Sequence, residues 1–76
     1  MTPPPTPENR LLPAFFLDEN PIVPPSAFIA PGAVVLGGAT LGQECSIWYQ
    51  AVVRADIQRI VIGAQSNVQD GAVLHV

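Results

Sequence analysis

Residues 29–53 read IAPGAVVLGGATLGQECSIWYQAVV, and an aliphatic residue stands at every sixth position of this stretch. A helix repeats about every 3.6 residues and an ordinary strand about every two, so neither explains a period of six. The period extends one step upstream and, after a slip of three residues, resumes downstream. We call the whole series the aliphatic ladder; it comprises Val23, Ile29, Val35, Leu41, Ile47, Val53, Ile62, Val68 and Leu74.

A small residue stands four positions after most members of the ladder. These positions are Ala27, Ala33, Ala39, Cys45, Ala51, Ser66 and Ala72. Hexapeptide periodicity indicates a parallel β-helix, a solenoid of short strands that each point an aliphatic side chain inward. The small residue is expected to fill a tight corner between two strands. The sequence therefore predicts an all-β, hexapeptide-repeat solenoid.

The coils of this solenoid are expected to start near Val23, Leu41 and Ile62, which gives about three coils. The slip in the period falls around Ile57 to Val61, where we expect a corner to bulge. The β-helix domain is assigned to residues 21–76 and is expected to be incomplete at its C-terminal end.

A proline-rich arm precedes this domain and is assigned to residues 1–20. Its first ten residues carry four prolines and little apolar material, so we expect them to be extended or disordered. Phe15 and Phe16 are expected to pack over an end of the scaffold.

Neighbours of the inward residues should point outward, and stacked coils should arrange them in columns. One expected column consists of the valines Val34, Val52 and Val73. A stripe of exposed valines in a chain with 12% charged residues indicates an interface. The pattern also resembles the β-helix of hexapeptide-repeat proteins, which has three strands per coil. Because such three-sided prisms pack readily about a three-fold axis, we expect a homotrimer. The expected columns are Val34, Val52, Val73 and Leu36, Arg54, His75 on one face, and Phe28, Ser46, Asn67 and Ala30, Trp48, Gln69 on another.

Composition narrows the classes of function. The net charge of -3, with three arginines and no lysine, argues against nucleic-acid binding. One cysteine excludes an internal disulfide framework, and no apolar run reaches the length of a membrane span. The first residues lack the basic region and apolar core of a secretory signal. We therefore expect a cytoplasmic protein with no nucleic-acid partner and no membrane span.

Two segments resemble the γ-class carbonic anhydrases: Trp48–Asp56, WYQAVVRAD, and Ile62–Val76, IGAQSNVQDGAVLHV. The specific element is R-x-D followed by N-x-Q-D-x-x-x-x-H, and the likeness covers roughly residues 20–76, the N-terminal portion of such a domain. The resemblance implies a left-handed β-helix and a homotrimer with zinc held between two subunits. It also implies a lyase reaction, the zinc-dependent reversible hydration of carbon dioxide to bicarbonate, with iron or cobalt as other metals that could serve.

The resemblance also implies roles for single residues. His75 resembles the first of three metal-binding histidines, and Asn67 and Gln69 resemble the catalytic amides that hold metal-bound water or bicarbonate. Arg54, a further catalytic candidate, resembles one partner of an interface ion pair with Asp70, and Asp56 resembles another interface carboxylate. A purely structural reading, in which these three charged residues set the register of the trimer, is compatible with those roles.

Two features depart from the family pattern. The second and third histidine ligands are absent from the sequence, and Ile57 stands where founding members carry a glutamate thought to transfer protons. We therefore expect this 76-residue chain to be inactive alone, and the activity to belong to a longer form. The alternatives are a non-catalytic trimeric scaffold or assembly module and, with less support, a hexapeptide acyltransferase.

Overall fold

The computed structural model describes residues 15–76, which form six β-strands and no helix. The predictions for residues 1–14 of the arm concern residues that lie outside the described ones. The strands are β1 (Phe28–Ile29), β2 (Val34–Leu41), β3 (Ser46–Ile47), β4 (Val52–Ile62), β5 (Asn67–Val68) and β6 (Val73–His75). No helix long and apolar enough to cross a membrane is present among the described residues.

All strand pairs are parallel, and they build two three-stranded sheets in the orders β1-β3-β5 and β2-β4-β6. Phe28 pairs with Ser46, and Ser46 pairs with Asn67. The chain therefore returns to the same sheet after 18 residues and then after 21, since 46 minus 28 is 18 and 67 minus 46 is 21. This regular return is compatible with a parallel β-helix, and the prediction of an all-β fold with parallel strands is confirmed.

The three extra residues of the second interval lie in one bulge. Gly37 pairs with Ala55 and Ala39 pairs with Ile60, so the single residue Gly38 stands opposite the four residues 56–59. The predicted slip is confirmed, although it begins one residue earlier than expected. We call residues 56–59 the bulge.

The aliphatic ladder points inward as predicted. Ile47 and Val53 have no exposed surface, and both lie in the core cluster. Val23 is the exception: its side chain is exposed, because the bridge of Ile22 to Thr40 places it in the first turn that the structure describes, with no described turn below it. The core cluster consists of Ala39, Leu41, Cys45, Ile47, Ala51, Val53, Ala55, Ile62 and Val68.

Two predictions about small residues need correction. Ser66 is exposed rather than buried in a corner, because no described residue of a further turn covers it. Ala30 was expected to face solvent, but it is 1% exposed. It is therefore buried although it does not belong to the core cluster.

Left-handed backbone conformations recur at equivalent positions of successive turns. Glu44 and Gln65 have φ values of 58° and 61°. Gly32, Gln50 and Gly71 form a second column, with φ values of 82°, 59° and 72°. This conformation has a steric cost for a residue with a side chain, which Glu44, Gln50 and Gln65 bear and the two glycines avoid.

The N-terminal segment lies against the bulge rather than over an end of the scaffold. The Phe16 backbone N–H donates to the Asp56 carbonyl at 2.9 Å, whereas Phe15 is largely exposed. The prediction that both phenylalanines cover an end of the solenoid is therefore wrong for the described residues. The side of β4 offers Phe16 a partner because the backbone groups of the bulge are not paired in the sheet.

Candidate functional site

Arg54 and His75 lie side by side on the outside of the β2-β4-β6 sheet. Their Cα atoms are register partners in the pairing of β4 with β6, and both residues are exposed. Strand alternation explains why both side chains point outward, because Arg54 follows the inward residue Val53 and His75 follows the inward residue Leu74. Within the described residues, the His75 ring makes no hydrogen bond and no ion pair.

A stripe of valines runs beside this pair. Val34 pairs with Val52, and Val52 pairs with Val73, so the three side chains form the predicted column along the sheet. Val34 and Val73 are exposed and Val52 is partly buried. We call these three residues the valine stripe. It gives the face that carries His75 an uncharged, β-branched edge suited to contact with another surface.

Asn67 and Gln69 form an amide pair on the other sheet. The Gln69 side-chain Nε2 donates a hydrogen bond to the Asn67 Oδ1 atom. Both residues flank the inward Val68 and therefore share the outer side of β5. The bond leaves the Gln69 Oε1 atom as an acceptor and the Asn67 Nδ2 group as a donor, so the pair presents both polarities to an approaching ligand.

One turn below the amide pair lies a second polar contact in the same columns. The Trp48 indole Nε1 donates to the Ser46 Oγ atom at 3.0 Å. The Trp48 ring also packs against Phe28, with ring centroids 5.2 Å apart, and against Tyr49 at 6.3 Å. The six-residue period predicted the columns in which these residues lie. It did not predict the Trp48–Ser46 hydrogen bond, because the period does not determine side-chain rotamers.

Arg54 has an acidic neighbour on its own strand. Its Nε atom lies 3.7 Å from the Asp56 Oδ2 atom, and the Asp56 Oδ1 atom accepts the Ile57 backbone N–H at 2.9 Å. Asp70 makes no ion pair with any residue that the structure describes. The predicted ion pairs across a subunit boundary, between Arg54 and Asp70 above all, therefore stay predictions.

The described residues do not fit a complete metal site. They contain no group of three or more histidine, cysteine, aspartate or glutamate side chains that could hold a metal ion. His75 supplies one imidazole donor, whereas a catalytic zinc site takes about three protein ligands. The buried Cys45 is not a further candidate, because burial raises the pKa of its thiol and disfavours the thiolate that metals bind.

The candidate site consists of two pairs of polar residues that lie on different sheets. Arg54 and His75 belong to one sheet, and Asn67 and Gln69 belong to the other. The structure thus places Arg54 beside His75 and Asn67 beside Gln69, and it does not bring these two pairs together. The described residues of one chain therefore do not form a single site that uses both pairs.

Comparison with known proteins agrees with these features. The chain is 42% identical over 59 residues to "Gamma carbonic anhydrase 1, mitochondrial" of Arabidopsis thaliana, which covers 78% of this chain and 22% of that protein. It is 51% identical over 47 residues to "Probable carbonic anhydrase" of Methanocaldococcus jannaschii, covering 62% of this chain and 30% of that protein. It is 37% identical over 60 residues to an uncharacterized transferase of Bacillus subtilis, covering 79% and 35% respectively.

No family model matches the chain, and no solved structure matches it. The chain spans between about a fifth and about a third of the length of these curated relatives. The parallel strands and the six-residue period define a hexapeptide-repeat protein. Within that class, the chain is 40–51% identical to several γ carbonic anhydrases over the aligned segments, and this similarity supports the γ-class carbonic anhydrase family.

Proposed function

We propose that the protein to which this chain contributes is a metal-dependent γ-class carbonic anhydrase that catalyses the reversible hydration of carbon dioxide to bicarbonate. The proposal rests on one arrangement. His75 stands beside Arg54 on one face, while the amide pair Asn67–Gln69 stands on another. A site assembled between two copies would place an imidazole donor opposite a hydrogen-bonding amide pair.

The amide pair suits a bicarbonate or water ligand. Bicarbonate carries one hydroxyl donor and oxygen acceptors, and the pair offers the Gln69 Oε1 atom as acceptor and the Asn67 Nδ2 group as donor. Arg54 adds a positive charge that favours an anion near His75. In this proposal Asn67 and Gln69 orient the ligand, and Arg54 attracts bicarbonate.

The metal is part of the proposal and is not assigned from the described residues. His75 would provide one ligand, and the remaining ligands would come from residues beyond those described. Zinc is the first candidate because imidazole donors suit it, with iron or cobalt as alternatives.

The assembly we propose is a homotrimer of left-handed β-helices, with about three coils of each helix supplied by this chain. The valine stripe would lie in the interface between copies, together with Arg54, Asp56 and Asp70 as charged contacts. A cytoplasmic location remains a prediction from sequence. Interfaces of this kind bury an apolar centre inside a polar rim, which the valines and the flanking charges would supply.

The test uses a form of the protein as long as its relatives. We expect it to bind about one metal ion per subunit and to accelerate carbon dioxide hydration in a stopped-flow assay with a pH indicator. His75→Ala should lose the metal, whereas Gln69→Ala should retain the metal and lose hydration activity by about a hundredfold, the scale of one lost transition-state hydrogen-bond partner. Wild-type hydration activity in His75→Ala would overturn the proposal. The 76-residue chain alone is expected to be inactive.

A non-catalytic scaffold is the second candidate. It is favoured by the absence of a three-ligand cluster among residues 15–76. A trimer that binds metal but does not hydrate carbon dioxide would support it.

A transferase is the third candidate, and the similarity to a protein named as an uncharacterized transferase favours it. Calorimetry with coenzyme A distinguishes this candidate, because a hexapeptide acyltransferase must bind that cofactor and a carbonic anhydrase has no use for it.

A further inference from the structure

The bulge in β4 holds a group of contacts that the proposed function does not use. Its four residues, 56–59, stand opposite Gly38 alone and have no register partners in the sheet. A strand segment without ladder hydrogen bonds needs other contacts to hold one conformation. In this chain those contacts come from the segment just before the solenoid.

Three contacts join the two segments. Besides the 2.9 Å hydrogen bond from the Phe16 N–H to the Asp56 carbonyl, the Arg59 guanidinium donates to the Glu19 Oε1 atom at 3.0 Å. The Arg59 guanidinium carbon also lies 4.7 Å from the centroid of the Phe16 ring, within the range of a cation–π contact. We call Phe16, Glu19 and Arg59 the clasp.

Two adjacent glycines make room for the clasp. A Cβ atom on Gly38 would lie 2.7 Å from the Glu19 Oε2 atom, 3.1 Å from the Phe16 Cβ atom and 3.3 Å from the Arg59 Cγ atom. A Cβ atom on Gly37 would lie 3.0 Å from the Phe16 carbonyl oxygen. All three clasp residues therefore converge on Gly38, where β2 carries no side chain.

Asp56 connects the clasp to the candidate site. Its carbonyl oxygen accepts the Phe16 N–H, while its carboxylate accepts the Ile57 N–H and lies 3.7 Å from the Arg54 Nε atom. Arg54 in turn is the register partner of His75. A displacement of the bulge would move the Asp56 carboxylate and with it the counter-charge that orients Arg54.

We propose that Phe16, Glu19 and Arg59 are positioning residues that fix the bulge, so that Asp56 holds the Arg54 guanidinium beside His75. This inference rests on the proposed function, because it assumes that Arg54 and His75 belong to the site. The clasp residues touch no part of the site themselves. They act through the backbone of Asp56. If they only stabilised the fold, substituting them would change the stability of the chain without changing the environment of Arg54.

The environment of Arg54 can be read directly by NMR. The chain has three arginines and no lysine, so the Arg54 Nε–H signal can be assigned by its loss in Arg54→Lys. We expect Glu19→Gln to shift this signal and to speed its hydrogen exchange by about threefold, as the loss of an exposed ion pair would do. Phe16→Leu should act in the same direction. The matched control is Glu44→Gln, which removes the same charge far from the clasp at a backbone conformation that Gln50 and Gln65 also adopt.

The double variant Glu19→Arg/Arg59→Glu restores an ion pair with reversed charges and is expected to return the Arg54 signal toward its wild-type position. The Val53 amide serves as the reference for an intact core, and its protection should be unchanged in every variant compared. An unchanged Arg54 signal in Glu19→Gln, or an equal change in Glu44→Gln, would overturn the proposal. Neither readout depends on activity or bound metal, so failure of the clasp and failure of the proposed enzyme remain distinguishable.

Discussion

Gly42 and Gly63 occupy equivalent places in successive turns, each directly after a member of the aliphatic ladder. Their surroundings differ. A Cβ atom on Gly42 would meet the Ala64 backbone nitrogen and lie 2.7 Å from the Gly63 carbonyl carbon, whereas one on Gly63 would meet only the Ser66 hydroxyl at 3.7 Å. Neither residue has a positive φ. The requirement for glycine at position 42 therefore comes from the turn stacked against it.

Gly42→Ala is expected to lower the free energy of unfolding by roughly 1–3 kcal/mol, because backbone atoms of the next turn must move. Gly63→Ala is the matched control and should change it by less than about 0.5 kcal/mol, as an unobstructed surface substitution does. Urea unfolding followed by circular dichroism measures both values. Equal effects of the two substitutions would contradict the stacking of Gly42 beneath Ala64.

Cys45 occupies a buried small-residue position, and burial raises the pKa of its thiol from the ordinary value of 9.0, partly opposed by hydrogen bonds from the Cys45 and Gly42 backbones. The unfolded chain ionises its thiol near the ordinary value, and the folded chain does so only at higher pH. The resulting contribution to stability is present below pH 9.0 and is lost as the pH rises through the raised pKa of the folded state.

The free energy of unfolding of the wild type should therefore fall more steeply above pH 9.0 than that of Cys45→Ala. Alanine stands at five equivalent positions, so the variant should lose only about 1 kcal/mol at neutral pH. Thiol labelling provides the second measurement and should proceed only as fast as the chain unfolds. Parallel pH profiles for the two proteins would show that the thiol ionises equally well in both states.

At the scale of elements, the sequence predicts the pairing of strands well. The spacing of Val35, Val53 and Leu74 sets the register of the β2-β4-β6 sheet, because a shift by one residue would turn every inward side chain to the outside. The columns that carry Arg54, His75 and the amide pair follow from the same period. The strand register can be predicted from the sequence because it depends on the regular spacing of apolar residues among the others.

Two features of the elements are not readable in this way. β2 continues from Val34 to Leu41 through two members of the ladder, although the period suggests separate short strands. The clasp joins Glu19 to Arg59 across 40 positions of sequence. No periodicity marks such a contact, since it depends on the shape of one bulge and the absence of side chains at Gly37 and Gly38.

Ala51 tests the tightness of packing between β3 and β4. It has no exposed surface and lies in the core cluster with Ile47 and Val53. Ala51→Leu inserts three carbon atoms where the interior has no room and should cost about 1–3 kcal/mol or prevent folding. Ala64→Leu adds the same atoms at an exposed corner and is expected to leave the thermal midpoint nearly unchanged. Wild-type thermal stability of Ala51→Leu would contradict the inward position of the small residues.

At the scale of the whole molecule, the candidate site is divided. The sheet that carries Arg54 and His75 also carries the valine stripe, and the other sheet carries the amide pair and the packed Phe28–Trp48 rings. Each face thus offers polar groups beside an apolar surface, as a protein interface commonly does. In the assembly that we propose, association between chains would complete the site.

Val52 lies at the centre of the valine stripe, between Val34 and Val73, and is the most informative position for that association. Val52→Asp places a charge in the apolar stripe, so it is expected to weaken the trimerisation that we propose by at least about tenfold, since a desolvated and unpaired charge is costly in an interface. Val61→Asp is the matched control. Val61 is 75% exposed, and its pairing with Thr40 places it away from the stripe. Sedimentation velocity across a range of concentrations should show dissociation of Val52→Asp and wild-type behaviour of Val61→Asp. Identical profiles for Val52→Asp and the wild type would mean that the valine stripe faces solvent and that the two halves of the site do not meet across it.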